Sequence, residues 1–202
     1  MITNPCAVTT GEVRFSYLHV FQPYAQQQGA EPKYSATILL PKADTAAKAA
    51  IDTAIRTAIE TGVNKRWNGM RPPQPAICVH DGDGGRPSDG MPFGPECRGH
   101  WVFTASCKTP PFVVDANVQP ILQQTEVYSG MYGRANVTFF PYANSGKKGV
   151  GCALNGIQKL RDGEALGGRI SAEDAFGPSV QAAPAPAACP PQIDPITGQP
   201  VV

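Results

Sequence analysis

Between residues 131 and 142 the chain reads Met-Tyr-Gly-Arg-Ala-Asn-Val-Thr-Phe-Phe-Pro-Tyr, and its two alternating sets differ in kind. Met131, Gly133, Ala135, Val137 and Phe139 are small or apolar. Tyr132, Arg134, Asn136, Thr138, Phe140 and Tyr142 mix rings, a cation and hydrogen-bonding groups. Successive side chains of a strand point to opposite faces, so the first set predicts a core face and the second an outward one. The outward mixture suits single-stranded nucleic acid. Rings stack on bases at about 1–3 kcal/mol each, cations hold phosphates, and stacking ignores base identity because every base has a π-face. The competing reading buries Phe140 and Tyr142 in a small core under a loop.

Further cations extend this pattern. Lys147 and Lys148 sit in Ala-Asn-Ser-Gly-Lys-Lys, residues 143–148, which reads as a hairpin tip able to touch phosphates. Lys65, Arg66 and Arg71 surround Trp67 in an exposed connection, where the indole either stacks on a base or anchors the loop. Lys108 closes a strand at 100–108 and completes the candidate nucleic-acid set.

Other chemistries fit poorly. Gly-Lys-Lys is not a phosphate-cradling loop, because that motif needs glycine where Pro141 stands. Asp81 to Asp89 invites a calcium loop, but Gly85, Arg86 and Pro92 occupy positions that need an acid or Asn, Gly and Glu. Cys78, His80, Cys97 and His100 have no common zinc spacing; buried thiols and incidental histidines are expected, with no metal or cofactor. No nucleophile elbow, metalloprotease helix or obvious carboxylate pair is present, which argues against an enzyme.

The elements that must position these residues are mainly β. Residues 8–21 predict a long strand with Val13, Phe15, Tyr17 and Phe21 on one face. Residues 33–40 predict a second, with Tyr34, Ala36, Ile38 and Leu40 inward. Asp44 caps a helix over 45–61 that Gly62 stops, and Ile51, Ile55 and Ile59 form its buried stripe. Short strands follow at 77–80, 100–108 and 112–115, and a long hairpin at 131–142 and 149–158. The reading is a β-barrel with one inserted helix and a long hairpin, spanning 1–180. From about 181 the Pro/Ala-rich sequence predicts a disordered tail.

The 202 residues carry 21 Gly and 21 Pro, which excludes a helical bundle. A net charge of +1 hides an asymmetry: +5 over residues 131–161 and −4 from 162 onward, a hint of a polyanionic ligand. The N-terminus lacks the pattern of a signal peptide, no run of 18 apolar residues exists, and six cysteines form no CxxC pair. These features predict a cytoplasmic protein with free thiols and no membrane contact.

Several short segments carry a family likeness. They are Arg14-Phe15-Ser16-Tyr17 with Pro23, Lys33-Tyr34-Ser35, Leu39-Leu40-Pro41-Lys42-Ala43-Asp44 and Asp81-Gly82-Asp83. Next come Tyr128-Ser129-Gly130-Met131-Tyr132, then Tyr142, Gly149-Val150, and Gln158 before Gly163-Glu164. In this order the chain resembles bacteriophage single-stranded DNA-binding proteins once catalogued as a domain of unknown function, from about residue 8 to 176. The resemblance implies an OB-fold barrel with insertions, and binding of single-stranded DNA in phage replication or recombination, which the stacking argument above makes independent of sequence. Phage or host replication proteins would be further partners. Many single-stranded DNA-binding proteins end in a strongly acidic tail; here only Asp194 follows Asp174. The alternative function is a phage structural or protein-interaction module on the same barrel.

Overall fold

The breaks in the strand pattern decide the architecture. The computed structural model describes residues 4–25, 29–144 and 146–166. It contains β1 (Ala7–Thr9), β2 (Val13–Tyr24), β3 (Lys33–Pro41), α1 (Thr45–Lys65), β4 (Ala76–Ile77) and β5 (Val79–Asp81). Then come β6 (His100–Cys107), β7 (Phe112–Val114), β8 (Tyr132–Asn144) and β9 (Lys147–Arg161). Among the described residues nine strands form one mixed sheet, ordered β4-β9-β8-β2-β3-β6-β5, with β1 on β8 and β7 on β9. The expected disordered tail from 181 lies outside the described residues.

The two ends of that order, β4 and β5, are joined by the single residue Cys78. β4 runs parallel to β9 through Ala76↔Gly149 and Ile77↔Val150, and β5 runs antiparallel to β6 through Val79↔Phe103. One bent segment therefore passes from one margin of the sheet to the other. The sheet curls into a barrel shape that is bridged along this seam rather than closed by a β6–β9 ladder.

The interior follows the alternation. Val13, Phe15, Ala36, Ile38, Leu40, Phe103, Ala105, Met131, Ala135, Val137 and Phe139 are all buried in one cluster. Helix α1 adds Ile51, Ala54, Ile55, Ala58 and Ile59 to it. The Asp44 carboxylate accepts the Ala47 N–H at 2.9 Å, the N-cap that the sequence predicts, worth about 1 kcal/mol.

Three expectations need correction. Residues 8–21 are not one strand, because the chain leaves β1 and re-enters as β2. Within β2 the inward set is not Val13, Phe15, Tyr17 and Phe21. The register slips between Ser16 and His19, Tyr17 takes φ 47° and is 69% exposed, and Val20 turns inward. A one-residue bulge exchanges the two faces of everything beyond it. Third, Gly62 does not stop α1, which continues to Lys65. A Cβ on Gly62 would lie 2.8 Å from Pro141 Cβ and 2.9 Å from two Trp67 ring carbons. Glycine stands there to admit an indole, not to end a helix.

Five described cysteines, Cys6, Cys78, Cys97, Cys107 and Cys152, are free thiols. Cys78, at the seam, hydrogen-bonds the Cys152 thiol of β9. Burial pushes the Cys152 thiol well up, and the bond to Cys152 draws Cys78 down.

Candidate nucleic-acid interface

The outward row of β8 divides into two parts. Near the start of the strand its groups bind one another. The Tyr132 ring has the Arg161 guanidinium 3.7 Å from its centroid and that of Arg14 at 5.7 Å. Arg161 is held by Glu12 at 2.7 Å, and Arg14 donates to the carbonyls of Gly130 and Glu164. Asn136 donates to Thr9 Oγ1 at 2.7 Å and accepts from Asn155 at 2.7 Å, while Asn155 also donates to Thr138. Tyr132 and Asn136 are thus parts of a surface lattice rather than free contacts. Arg134 is exposed and donates through Nε to the Thr10 carbonyl.

The far end of the hairpin differs. Phe140 is exposed and covers Gly151, Tyr142 is half-buried, Lys147 is exposed and Lys148 half-exposed. Asn144 pairs with Lys147, so the predicted tip is shorter than residues 143–148, and Gly146 takes φ 79° in the turn. Trp67, expected either to meet DNA or to anchor its loop, does the second. It has no exposed surface, and its Nε1–H donates to the Tyr142 carbonyl at 3.1 Å. A ring with both faces buried cannot stack on a base. The burial has a consequence for its neighbours, since it ties exposed Lys65, Arg66 and Arg71 to the hairpin end that carries Lys147 and Lys148. None of these five cations has an ion pair among the described residues.

A second face was missed by sequence reasoning. On the outward side of β2, β3 and β6 the register aligns Ser16–Thr37–Thr104 and His19–Ser35–Ser106 in two rows. Thr37 and Thr104 share a hydroxyl hydrogen bond of 3.0 Å. Tyr24, Glu31, Lys33, Ser35, Thr104 and Ser106 line a depression of about 250 Å³. Tyr24 is 52% exposed, and His19 stacks on one of its faces at 4.5 Å and 12°. Tyr17, at the bulge in the same strand, is exposed as well. Lys108 lies at this end of β6 and pairs with Glu31 at 2.8 Å, which holds the Glu31 carboxyl below its usual range. The signal was present in the sequence: apolar residues at 13 and 15, then at 18 and 20, mark a phase slip and release Tyr17 outward.

The glycine-rich loop after β5 bounds this face. Leu39 and Val102, next along β3 and β6, are buried under Phe93 and Cys97. Asp83 accepts from Lys42 at 2.6 Å and from the Gly99 N–H at 3.0 Å, and Lys42 also pairs with Asp81. Lys42 lowers both aspartates from their ordinary values. A Cβ at Gly82 would lie 2.0 Å from the Cys97 carbonyl oxygen, so this turn admits only glycine. The aspartates therefore hold a wall in place. Among the described residues no group of three or more His, Cys, Asp or Glu side chains is arranged to hold a metal; Cys97 lies under the wall and Cys78 at the seam.

Five long strands in the order β9-β8-β2-β3-β6, with an outward polar face on the second and third in chain order, define an oligonucleotide-binding barrel of OB type. The hairpin between β8 and β9 flanks it.

The chain belongs to the family described as the single-stranded DNA-binding protein of Enterobacter phage Enc34, matched over residues 6–185. The structure is similar to that of the single-stranded DNA-binding protein from bacteriophage Enc34 in complex with single-stranded DNA. The TM-score is 0.69 at 28% identity, over 80% of this chain and 90% of that one. Protein p50 of Acyrthosiphon pisum secondary endosymbiont phage 1 is 31% identical over 84% of this chain and 91% of its own length. The fold is also shared with gp2.5, a single-stranded DNA-binding protein of bacteriophage T7, at TM-score 0.57 and 14% identity, over 87% and 98% of the two chains. No helix among the described residues is long and apolar enough to cross a membrane.

Proposed function

We propose that the protein binds single-stranded DNA without sequence preference, stoichiometrically and without catalysis, and serves phage replication or recombination in the host cytoplasm. The carrying observation is the outward face of β2, β3 and β6. Small hydroxyl side chains, Ser35, Thr37, Thr104 and Ser106, leave room for bases to lie close to the sheet. Tyr17 and the His19–Tyr24 stack offer rings on one side, with Lys33 and Lys108 at one end. Stacking on such rings tolerates all four bases.

From that face the strand runs toward the hairpin end. Lys147, Lys148, Lys65, Arg66 and Arg71 supply phosphate contacts, and Phe140 and Tyr142 supply ring surface. Compared with the expectation from sequence, the centre moves from β8 to β3 and β6, and Tyr132, Asn136 and Trp67 become scaffold.

Titration of fluorescent oligo-dT, a duplex and an RNA of equal length, each at two salt concentrations, tests the reading. The expected outcome is preferential binding of oligo-dT with a log–log salt slope of several units, because phosphate contacts release counterions. Equal affinity for single strand and duplex, or no binding at low salt, overturns it.

A further inference from the structure

The outward face of β1, β8, β9 and β7 carries a feature outside the DNA path proposed above, and Arg134, a candidate for that path from sequence, belongs to it. Register aligns Thr9–Asn136–Gly156–Phe112 across four strands, and Arg134–Gln158–Val114 in the next row but one. These residues, with Val118 and Ile157, line a pocket of about 180 Å³. Its floor is Gly156, against which the Phe112 ring lies so closely that a Cβ would sit 2.2 Å from a ring carbon. Phe112 is nonetheless 54% exposed.

The rim is strained. Val118 takes φ 63° while 66% exposed. A β-branched residue seldom adopts that conformation, and it persists only where the surrounding structure over-determines it. Its loop is pinned rather than loose. Asp115 accepts the N–H groups of Asn117 and Gln119 through its side chain, and Gln158 donates to the carbonyls of Asp115 and Ala116. The fold thus holds a valine side chain out beside an open ring. The one charge in the lining is the Arg134 guanidinium, which has no carboxylate partner among the described residues.

We infer that this pocket docks an acidic peptide of a partner protein, with an apolar side chain over Gly156 between Phe112 and Val118 and an adjacent carboxylate on Arg134. Charge complementarity selects the occupant. One cation beside an apolar pocket matches one carboxylate beside one apolar side chain, whereas a phosphate chain needs a row of cations. The pocket lies toward the start of β8 and the end of β9, several residues along the ladder from Phe140 and Tyr142 at the hairpin end, so a partner and DNA can be held together.

The test uses acetyl-Asp-Phe-amide and acetyl-Asn-Phe-amide as probes, followed by amide NMR on the full chain. The Asp probe is expected to shift the amides of Gly156, Ile157 and Val118 saturably, and the Asn probe to bind roughly tenfold more weakly, the loss of one charge-assisted contact. Arg134→Gln should make the two probes equal. Val118→Gly should raise thermal stability, weaken the Asp probe and leave oligo-dT affinity unchanged, a combination that a merely structural loop does not give. No saturable shift, or equal binding of both probes to the unsubstituted chain, overturns the proposal. So does oligo-dT moving the Gly156 and Val118 amides, since the face would then belong to the DNA path. Oligo-dT binding itself is read at Thr104 and Ser106, so its failure is seen separately.

Discussion

Two outward faces of one barrel answer the same question differently. The β8 face has the composition of a nucleic-acid platform, with rings, cations and amides in alternation. Near the start of the strand those groups are consumed by one another: two arginines hold Tyr132, and Thr9 and Asn155 hold Asn136. The β2-β3-β6 face has the blander composition of serines and threonines, yet it is open and has rings at its side. Residue type says what a surface could bind. Whether the groups are already satisfied limits what it can still bind, and that depends on partners far away in sequence. Arg161 and Glu12, for example, are 149 positions apart.

The largest expected effect breaks the comparison at the scaffold. Trp67→Ala should cost about 3–5 kcal/mol of stability, the usual range for a fully buried large ring. Urea denaturation measures it. Oligo-dT affinity of the folded fraction should fall only through misplacement of Lys65, Arg66 and Arg71. A stable variant that loses most of its affinity would return Trp67 to the role of a base-stacking ring.

Next in size are the rings on the two faces. Tyr17→Ala and Tyr24→Ala should each weaken oligo-dT binding by about 1–3 kcal/mol with little change in stability. Tyr132→Ala should do the reverse, since its ring holds two arginines and no base. Fluorescence titration paired with thermal melting separates these outcomes, and the opposite pattern would restore β8 as the platform.

How much of this was legible depended on range. Interior strands, the Asp44 cap and the hairpin are local patterns, and the inward set Met131 to Phe139 lies where alternation puts it. The bulge at Tyr17 left a local signal too, since Val20 breaks the phase of Val13 and Phe15, but simple alternation assigned Tyr17 to the inward face and so misread it. Gly62 was misread because a glycine near a helix end usually terminates it, and only the approach of Trp67 and Pro141 explains its place. The seam at Cys78 could not be read at all. A short apolar run looks the same whether it pairs with one neighbour or crosses between two.

Smaller effects sharpen the path between the faces. Replacing Lys147 and Lys148 together by Gln should reduce the salt slope of oligo-dT binding by about 1.4, two phosphate contacts on a single strand. Affinity at high salt should hardly move. An unchanged slope removes the hairpin tip from the footprint and confines binding to β3 and β6.

The smallest effect concerns the wall that bounds the β3–β6 face. Lys42 holds the Asp81 and Asp83 carboxyls below the ordinary aspartate value of 3.8, and the aspartates raise Lys42 above 10.5. Aspartates lowered in the folded state contribute stability above their unfolded value, and lose it as pH falls through the folded one. A raised lysine contributes below 10.5 and loses its share as pH rises through its folded value. Attachment of the loop is therefore fullest between those limits and weakens first on the acid side. The Gly99 amide, which donates to Asp83, reports it directly. Its NMR shift should titrate with a midpoint below 3.8, and Asp83→Asn should abolish that titration without unfolding the barrel. A midpoint at or above the ordinary value would mean that Lys42 does not hold the wall, and the boundary of the face would have to be sought in the packing of Phe93 and Cys97 alone.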